Sequence, residues 1–371
     1  MMNEPKSGPP ANFAFASAPA REPSKSPPAQ PPRPQSRLAK VQGGRKREPA
    51  RVMIVGPEGV GKTSTLASAP APIVIDADGG SGLVAIARYP FRDGPGGDVP
   101  ESLEEIHAAV ADLTENEHVG APPGGYKTIG IDTVDRVDAL IQKFVVEQHS
   151  GKKTANNRGA AKLRGIEDIG WGKGRDLVLD EWRNLCRALE KLRLVRDMNI
   201  ILTAHVSIRT FKDPEGEDYD RYFLRVHEKT AGFLREWVEV CGFYSFDRTA
   251  SRLGLSEDAP RAKAVMTRRR ILRTQPFAAF DAKTRLALPD EIEVDVANPW
   301  GPIGAAIAAA RDMTPVEVVR LIRGEVHRIG DPELGPSVEA AIAKEQDTAK
   351  LQRYLMDLRR RKPHAAPEQA P

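Results

Sequence analysis

Apolar residues follow two alternating spacings along the first half of the chain. Short apolar runs that predict buried strands occur at residues 51–55, 73–75, 126–131 and 199–204. Apolar positions three and four residues apart predict helices over residues 102–113, 134–146 and 177–194. Strands that alternate with helices are typical of βαβ units, so we predict an α/β fold with a mainly parallel sheet flanked by helices.

The pattern changes after residue 205. Further strands are predicted at residues 206–212, 220–226, 240–246 and 265–274. The first two surround the turn Asp213-Pro214-Glu215-Gly216, which predicts a β-hairpin. From Gly301 onward the spacing is helical, with helices expected near residues 315–329, 336–344 and 349–360. These last helices predict a small bundle at the C-terminal end.

Residues 1–50 lack either spacing and are rich in proline, and their cations outnumber their acids. Such a segment buries too little apolar surface to offset its ordering entropy, which predicts a disordered, Pro-rich basic tail. The tail could bind nucleic acid through counterion release or serve as a solvated linker. The predicted organisation is this tail, a core over residues 51–298, a helical C-terminal domain over 299–362 and a short tail over 363–371.

Composition narrows the class of protein. With 40% hydrophobic and 29% charged residues and a net charge of +4, the chain is typical of a soluble globular protein. No apolar run approaches ~20 residues, so we expect no membrane span, and the N-terminus lacks the apolar core of a signal peptide. Two cysteines, Cys186 and Cys241, are too few for a disulfide framework or a Cys-rich zinc site. We therefore expect a cytoplasmic protein.

The strongest motif is Gly56-Pro57-Glu58-Gly59-Val60-Gly61-Lys62-Thr63, which fits G-x-x-x-x-G-K-[ST] without a mismatch. It follows a predicted strand and opens a predicted helix, so backbone N–H groups and the helix N-terminus can surround an anion. Lys62 would reach the β- and γ-phosphates, and the Thr63 hydroxyl would bind Mg²⁺. We therefore predict ATP and Mg²⁺ as ligands. The predicted nucleotide-binding residues are Gly56, Pro57, Glu58, Gly59, Val60, Gly61, Lys62, Thr63 and Ser64.

Acidic residues follow two of the predicted strands. Asp132 ends one of them and, together with Thr63, is the predicted Mg²⁺ site; the alternative is that it caps the next helix. Asp76 and Asp78 follow another strand. We favour Asp78 as a general base that polarises water, because position 76 still belongs to the strand. The alternative is that Asp78 only forms the turn before the next glycines.

The order of the loop, the acid after the second strand, Ile131-Asp132-Thr133 and a later strand with a polar end resembles the RecA-like ATPases. A closer resemblance is to phage-encoded RecA-like nucleotide-binding proteins, some of which act in single-strand annealing or recombination. Segments that carry this likeness are Gly170-Trp171-Gly172-Lys173-Gly174, Lys212-Asp213-Pro214-Glu215-Gly216, Asp218-Tyr219-Asp220-Arg221-Tyr222 and Ala282-Lys283-Thr284-Arg285. The resemblance spans about residues 50–292 and implies a RecA-like P-loop ATPase core.

The resemblance implies further site residues. Asp78 takes the place of a catalytic glutamate, with a side chain one methylene shorter. His205 replaces the glutamine that senses the γ-phosphate, and a histidine can also donate a hydrogen bond to a phosphate oxygen. Lys283 and Arg285 resemble paired basic residues that enter a neighbour's ATP site and stabilise transition-state charge. A site completed in this way implies a homo-oligomer, either a ring or a filament.

Single-stranded DNA is the partner that the resemblance implies. The DNA-binding loops of RecA correspond to residues 150–174 and 207–226. The predicted DNA-binding residues are Lys152, Lys153, Arg158, Lys162, Arg164, Arg209 and Lys212. Cations can follow phosphates while aromatic residues stack on bases. Acidic residues oppose this charge in the second segment, so a solvated hairpin is the alternative there; a surface insertion is the alternative for the first.

Three functions are compatible with these features. We predict a DNA-dependent ATPase of the RecA-like class that acts on single-stranded DNA in phage or prophage recombination or replication. The Pro-rich tail and the C-terminal helices favour an alternative, an ATP-gated loader or scaffold with slow hydrolysis. A P-loop kinase for a small molecule is a third possibility, but the strand order and the hairpin fit it poorly.

Overall fold

A mixed β-sheet organises this chain, as seen in a computed structural model. The structure describes residues 48–116, 125–151, 162–170, 172–214, 216–251, 263–345, 347–359 and 361. The predicted basic tail lies outside the described residues up to residue 47, and so does the predicted short tail over 363–371.

The elements follow the predicted alternation of strands and helices. The strands in the described ranges are β1 (Arg51–Val55), β2 (Pro72–Asp76), β3 (Ala87–Arg88), β4 (Thr128–Asp132), β5 (Asn199–Ala204), β6 (Val206–Phe211), β7 (Tyr219–Leu224), β8 (Val240–Ser251), β9 (Lys263–Arg273), β10 (Lys283–Thr284) and β11 (Glu291–Val294). The α-helices in the same ranges are α1 (Lys62–Ala67), α2 (Leu103–Glu115), α3 (Val134–His149), α4 (Lys173–Arg196), α5 (Glu228–Trp237), α6 (Trp300–Asp312), α7 (Pro315–Ile329), α8 (Leu334–Ile342) and α9 (Thr348–Arg359).

The main sheet has the strand order β11-β9-β8-β1-β5-β4-β2-β3, and β10 also pairs with β8. The pairs from β8 through β1, β5, β4 and β2 to β3 are parallel, whereas β9, β10 and β11 join in antiparallel fashion. Since parallel strands end at the same edge, the carboxyl ends of β1, β2, β4 and β5 meet there. The mainly parallel sheet with flanking helices confirms the predicted fold class.

Alternate residues of β1 show how both faces of the sheet are covered. Met53 and Val55 belong to the apolar cluster formed with α2, α3 and α4. Val52 and Ile54 belong to a second cluster, on the opposite face, which includes α1 and α6. A strand that is buried on both faces is favoured by apolar residues at successive positions, which explains the continuous run over residues 52–55 in the sequence.

Gly130 in β4 allows α1 to lie close to the sheet. A Cβ atom at this position would stand 2.4 Å from Cδ2 of Leu66, which is fully buried in α1. This distance is far shorter than a van der Waals contact, so a larger residue would displace the helix that follows the phosphate loop.

The predicted hairpin is confirmed as the antiparallel pair β6–β7, a two-stranded sheet separate from the main one. A single residue, His205, separates the end of β5 from the start of β6. By contrast, the sequence pattern did not predict α5. The buried residues of this helix are Thr230, Ala231 and Leu234, and the partly buried Phe233 and Trp237 pack against the same apolar cluster.

The C-terminal helices pack in two groups. Ile303 and Ile307 of α6 lie in the same apolar cluster as β1, whereas α7, α8 and α9 form a cluster of their own around Ile322 and Leu355. Thr314 caps α7, as expected from the sequence, because its hydroxyl accepts a hydrogen bond from the Glu317 N–H. No helix in the described ranges is long and apolar enough to cross a membrane.

Candidate nucleotide-binding site

The predicted phosphate loop connects β1 to α1 at the carboxyl edge of the sheet. Gly59 and Gly61 have φ angles of 73° and 102°, a left-handed conformation that favours glycine. A Cβ atom on Gly56 would lie 2.2 Å from the carbonyl oxygen of Tyr244 on β8. These glycines allow the backbone to turn tightly, so that α1 begins at Lys62 with its N–H groups close to the loop.

Lys62 is nearly buried at 5% exposure. Its ammonium group donates hydrogen bonds to the carbonyl oxygens of Gly56 and Pro57, at 3.0 and 2.8 Å. Burial lowers the pKa of Lys62 to about 8, and the negative charge of Asp132 partly opposes this change. A phosphate group at the loop would be a stronger acceptor for this ammonium than neutral carbonyls.

Two threonine hydroxyls hold the Asp132 carboxylate in place. The Thr63 hydroxyl donates to Oδ2 at 2.7 Å, and the Thr203 hydroxyl, near the end of β5, donates to Oδ1. Burial raises the pKa of Asp132, although the two hydrogen bonds favour the ionised form. Both oxygens of the carboxylate are therefore fixed at the end of β4, next to the first turn of α1.

Thr63 and Asp132 fit the Mg²⁺ site expected in a P-loop protein. A hydroxyl and a carboxylate are hard oxygen ligands, and Mg²⁺ commonly uses one or two such groups together with substrate phosphates and water. In the described part of the chain no group of three or more His, Cys, Asp or Glu side chains could hold a metal. A Mg²⁺ ion here would thus depend on the nucleotide for other ligands.

The two candidate acids after β2 have different surroundings. Asp76 is buried and accepts hydrogen bonds from the Gly79 N–H and from the N–H and hydroxyl of Ser81, at 2.8, 2.9 and 2.5 Å. Asp78 lies past the strand end and pairs with Arg136, whose Nε is 2.6 Å from its Oδ1. Of the two carboxylates, only that of Asp76 is committed to holding the turn, which fits the preference for Asp78 as the base.

Asp135, at the start of α3, holds His205 at the end of β5. The His205 N–H donates to Oδ1 of Asp135 at 3.1 Å, and Nδ1 of the ring lies 3.1 Å from Oδ2. These contacts with His205 outweigh burial and lower the pKa of Asp135 to about 2. Because a carboxylate accepts from Nδ1–H, the imidazole has Nε2 left for another contact.

The hairpin contacts the phosphate loop directly. Arg225, just after β7, lies 3.0 Å from the carboxylate of Glu58 in the loop. The backbone N–H of Arg225 also donates to the carbonyl of His205 at 3.0 Å. The loop, the predicted sensor and the base of the hairpin are thus joined by short contacts.

One face of the hairpin combines arginine and aromatic side chains. Arg209 lies over the ring of Phe223 at 4.7 Å and Arg221 over the ring of Phe211 at 5.3 Å. Tyr219 packs against Phe211, with 5.5 Å between the ring centroids. Six other residues were predicted to contact DNA. Of these, Lys212, Lys162 and Arg164 are exposed, and Lys152, Lys153 and Arg158 lie outside the described residues.

Lys283 and Arg285 are remote from the phosphate loop of their own chain. Lys283 pairs with Cys241 near the start of β8, whereas the loop lies beyond the other end of the neighbouring strand β1. The Lys283 ammonium donates to the carbonyls of Arg235 and Glu236 at 2.9 and 3.2 Å, and Arg285 also donates to Glu236. Any contact with ATP would require a second copy of the chain, as the prediction states.

Sequence reasoning missed several residues at this edge. Asp135 and Thr203 hold the two predicted polar groups, and Arg225 joins the hairpin to the loop. Thr203 could have been noticed as a polar residue inside the apolar run 200–204. Arg270 on β9 was also missed: its guanidinium is 3.0 Å from the place where a Cβ on Gly61 would lie.

The comparison with protein families agrees with the presence of a phosphate loop. A family model described as an AAA domain matches residues 48–286, about two thirds of the chain. No curated protein matches the chain. Matching solved structures include the crystal structure of the RadB recombinase, which is 11% identical, covers 68% of this chain and 90% of its own, and has a TM-score of 0.30. That score is too low to bear on function. The family match over residues 48–286, which include the phosphate loop, shows that the chain belongs to the AAA domain family of P-loop ATPases.

Proposed function

We propose that this protein hydrolyses ATP with Mg²⁺ and couples hydrolysis to binding of single-stranded DNA. The observation that carries this proposal is the short connection from the phosphate loop through His205 to the hairpin. The nucleotide site and the Arg–aromatic face belong to adjoining segments, so occupancy of one can influence the other.

The proposed hydrolysis of ATP rests on the side chains that meet at the carboxyl edge of the sheet. Lys62 and the loop N–H groups would hold the phosphates, and Thr63 with Asp132 would hold Mg²⁺. When bound, Mg²⁺ would neutralise charge that develops on the phosphate oxygens. Asp78 would accept a proton from the attacking water, and His205, held by Asp135 through Nδ1, would in its protonated form donate from Nε2 to a γ-phosphate oxygen.

The proposed binding of single-stranded DNA rests on the side chains of the hairpin β6–β7. Exposed Arg209 and Lys212 would bind phosphates, and the aromatic residues of the same hairpin would stack on bases. Lys162 and Arg164 would extend this basic surface. Lys283 and Arg285 would act on the ATP of a neighbouring copy in a ring or filament, and a role in phage or prophage recombination or replication follows from the resemblance described above.

ATP hydrolysis with and without single-stranded DNA, at low and physiological salt, tests the proposal. We expect DNA to stimulate turnover, and salt to weaken the effect because phosphate contacts release counterions. Lys62→Ala should abolish turnover, whereas Lys191→Ala, at an exposed lysine of α4, should not. Full turnover by Lys62→Ala would show that the phosphate loop is not the catalytic site.

Further variants test the DNA surface and the neighbour's contribution. Arg209→Ala and Lys212→Ala should reduce stimulation by DNA and leave basal turnover intact, with the exposed Arg320→Ala of α7 as the control. Mixing Lys62→Ala with Arg285→Ala protomers should restore part of the activity at mixed interfaces. Absence of rescue at every ratio would contradict the role in trans.

One observation favours the second candidate, an ATP-gated loader or scaffold with slow turnover. The Asp78 carboxylate is hydrogen-bonded to Arg136 at 2.6 Å, so one of its two oxygens is already engaged and only the other is left to position a water. This function predicts ATP-dependent assembly with little stimulation by DNA. Sedimentation of the protein with and without ATP, compared with the turnover assay, separates the two candidates.

A further inference from the structure

A cavity of about 830 Å³ lies beside the phosphate loop, between the loop residue Pro57 and the end of β9. It lies outside the predicted phosphate, Mg²⁺ and sensor positions, although Pro57 contributes to its wall. Its volume is in the range of pockets that hold small organic ligands. The cavity also borders the hairpin, because Tyr222 of β7 contributes to its lining.

Aromatic rings form much of the wall. Phe243 and Phe280 are stacked, with 4.2 Å between centroids and an angle of 7° between planes. Tyr222 lies 5.1 Å from Phe243, so the hairpin and the main sheet share this cluster. Phe277 lines the cavity and is 68% exposed, and its ring lies 6.1 Å from that of Phe280. An exposed phenylalanine beside stacked rings offers a free surface for another flat ring.

Phe277 is held by its backbone although its side chain is exposed. The N–H groups of Phe277 and Phe280 each donate to the carbonyl of the other at 3.1 Å, which closes a tight turn. The N–H of Tyr222 donates to Ala279 within the turn at 2.8 Å. The exposed ring is therefore carried on a turn that is tied to the hairpin.

Polar side chains in the wall of the cavity can form hydrogen bonds with a ligand. The Gln275 side-chain nitrogen is enclosed, and no described residue accepts a hydrogen bond from it. Arg273 is fixed by Ser245 at 2.8 Å and by Glu291 at 2.9 Å, and all three residues line the cavity. A primary amide carries a donor and an acceptor side by side, which matches the edge of a nucleobase.

We propose that this cavity binds a nucleobase, which stacks on Phe277 and forms hydrogen bonds with the amide of Gln275. The base can belong to an ATP held on the adjacent loop or to a nucleic-acid strand that lies on the hairpin. The inference rests on the proposed function for this choice of ligand, and it adds a recognition element that the phosphate loop lacks.

The Phe277→Trp variant provides a direct test, because indole fluorescence is quenched when a base stacks on it. Fluorescence would be measured with ATP, with an oligothymidylate and with an abasic oligonucleotide of equal length, and the wild-type signal would correct for the four native tryptophans. Affinities would be measured in parallel by fluorescence polarisation. We expect quenching by a base-bearing ligand and none by the abasic strand.

Lys62→Ala in the same background separates the two sources of the base. Quenching by ATP that disappears in this variant assigns the base to the nucleotide on the loop. Quenching by the oligothymidylate that survives assigns it to nucleic acid. Phe277→Ala should weaken binding of the same ligand about tenfold, as for loss of one base–aromatic stack, whereas Val316→Ala, at an exposed apolar residue of α7, should not.

The inference is overturned if fluorescence polarisation shows that ATP or the oligothymidylate binds but the indole of Phe277→Trp is not quenched, and if Phe277→Ala and Gln275→Leu leave the affinities for ATP and for the oligothymidylate unchanged. In that case the proposed function stands. If the wild type binds neither ATP nor oligothymidylate, the proposed function and the inference fail together.

Discussion

Replacing Thr203 by valine isolates the hydrogen bond that orients the Asp132 carboxylate. Thr203 is fully buried in β5, and its hydroxyl donates to Oδ1 of Asp132. Valine has nearly the same shape, so the core should stay filled while one donor is lost. Asp132 would keep only the hydrogen bond from Thr63, at 2.7 Å.

The size of the effect follows from the burial of this acid. A hydrogen bond to a charged group contributes about 1.5–3 kcal/mol, so its loss corresponds to roughly tenfold or more in an equilibrium that needs the carboxylate. Burial already raises the pKa of Asp132, and loss of the Thr203 donor raises it further. Mg²⁺ binds the ionised form, so we expect its apparent affinity to fall at least tenfold.

Binding of a fluorescent ATP analogue, titrated with Mg²⁺, measures this directly. Thr203→Val should shift the Mg²⁺ midpoint upward and leave binding in the presence of a chelator unchanged, because Lys62 and the loop are untouched. Thr203→Ser, which keeps the hydroxyl, should behave like the wild type. A Thr203→Val protein with the wild-type Mg²⁺ midpoint would refute the role of Asp132 in holding the ion.

Four other variants probe the fold and the acids. Gly130→Ala should destabilise the protein by about 2 kcal/mol in urea unfolding, because its Cβ collides with a buried leucine, while Gly232→Ala, with open space on α5, should stabilise it by up to about 1 kcal/mol. Asp135→Asn should cost roughly 2 kcal/mol at pH 7; since the folded pKa of about 2 lies below the ordinary value, the difference should vanish as the pH falls from about 4 towards 2. Asp78→Asn should lower the turnover number about 100-fold and leave ATP affinity within about twofold, and equal turnover would exclude it as the base. Asp76→Asn should instead lower the melting temperature, because an amide group replaces one of the two carboxylate oxygens that accept hydrogen bonds from the turn.

The fold was largely predictable from local patterns. Runs rich in apolar residues identified β1, β2, β4 and β5, because strands buried on both faces are mostly apolar; the buried polar residues Asp76, Asp132 and Thr203 lie near the carboxyl ends of three of them. The phosphate loop was predictable because its geometry depends on residues adjacent in sequence. The helix α5 was not predicted, because it is only ten residues long and two of its three buried residues are Thr230 and Ala231 rather than large apolar side chains.

The partners of the predicted site residues could not be read from the sequence. The contact between Asp135 and His205 joins positions 70 apart, and that between Glu58 and Arg225 joins the loop to the hairpin. Such pairs depend on the strand order, which brings β5 between β1 and β4. A periodic pattern specifies which face of a strand is buried, but it leaves open which strand lies beside it.

The hairpin begins one residue after β5 and is anchored again where the Tyr222 N–H donates to Ala279, so it can act as a lever only beyond Tyr222. The three residues of β6 beyond Ile208, which pairs with Tyr222, extend about 10 Å, so a tilt of about 10° at the anchor would displace the tip by about 1.7 Å. A reorientation of the His205 imidazole at the phosphate edge would therefore reach the tip through the paired strands and past this anchor. The stiffness of the paired strands, more than the size of the motion at the nucleotide, would set how much of that motion reaches the tip of the hairpin.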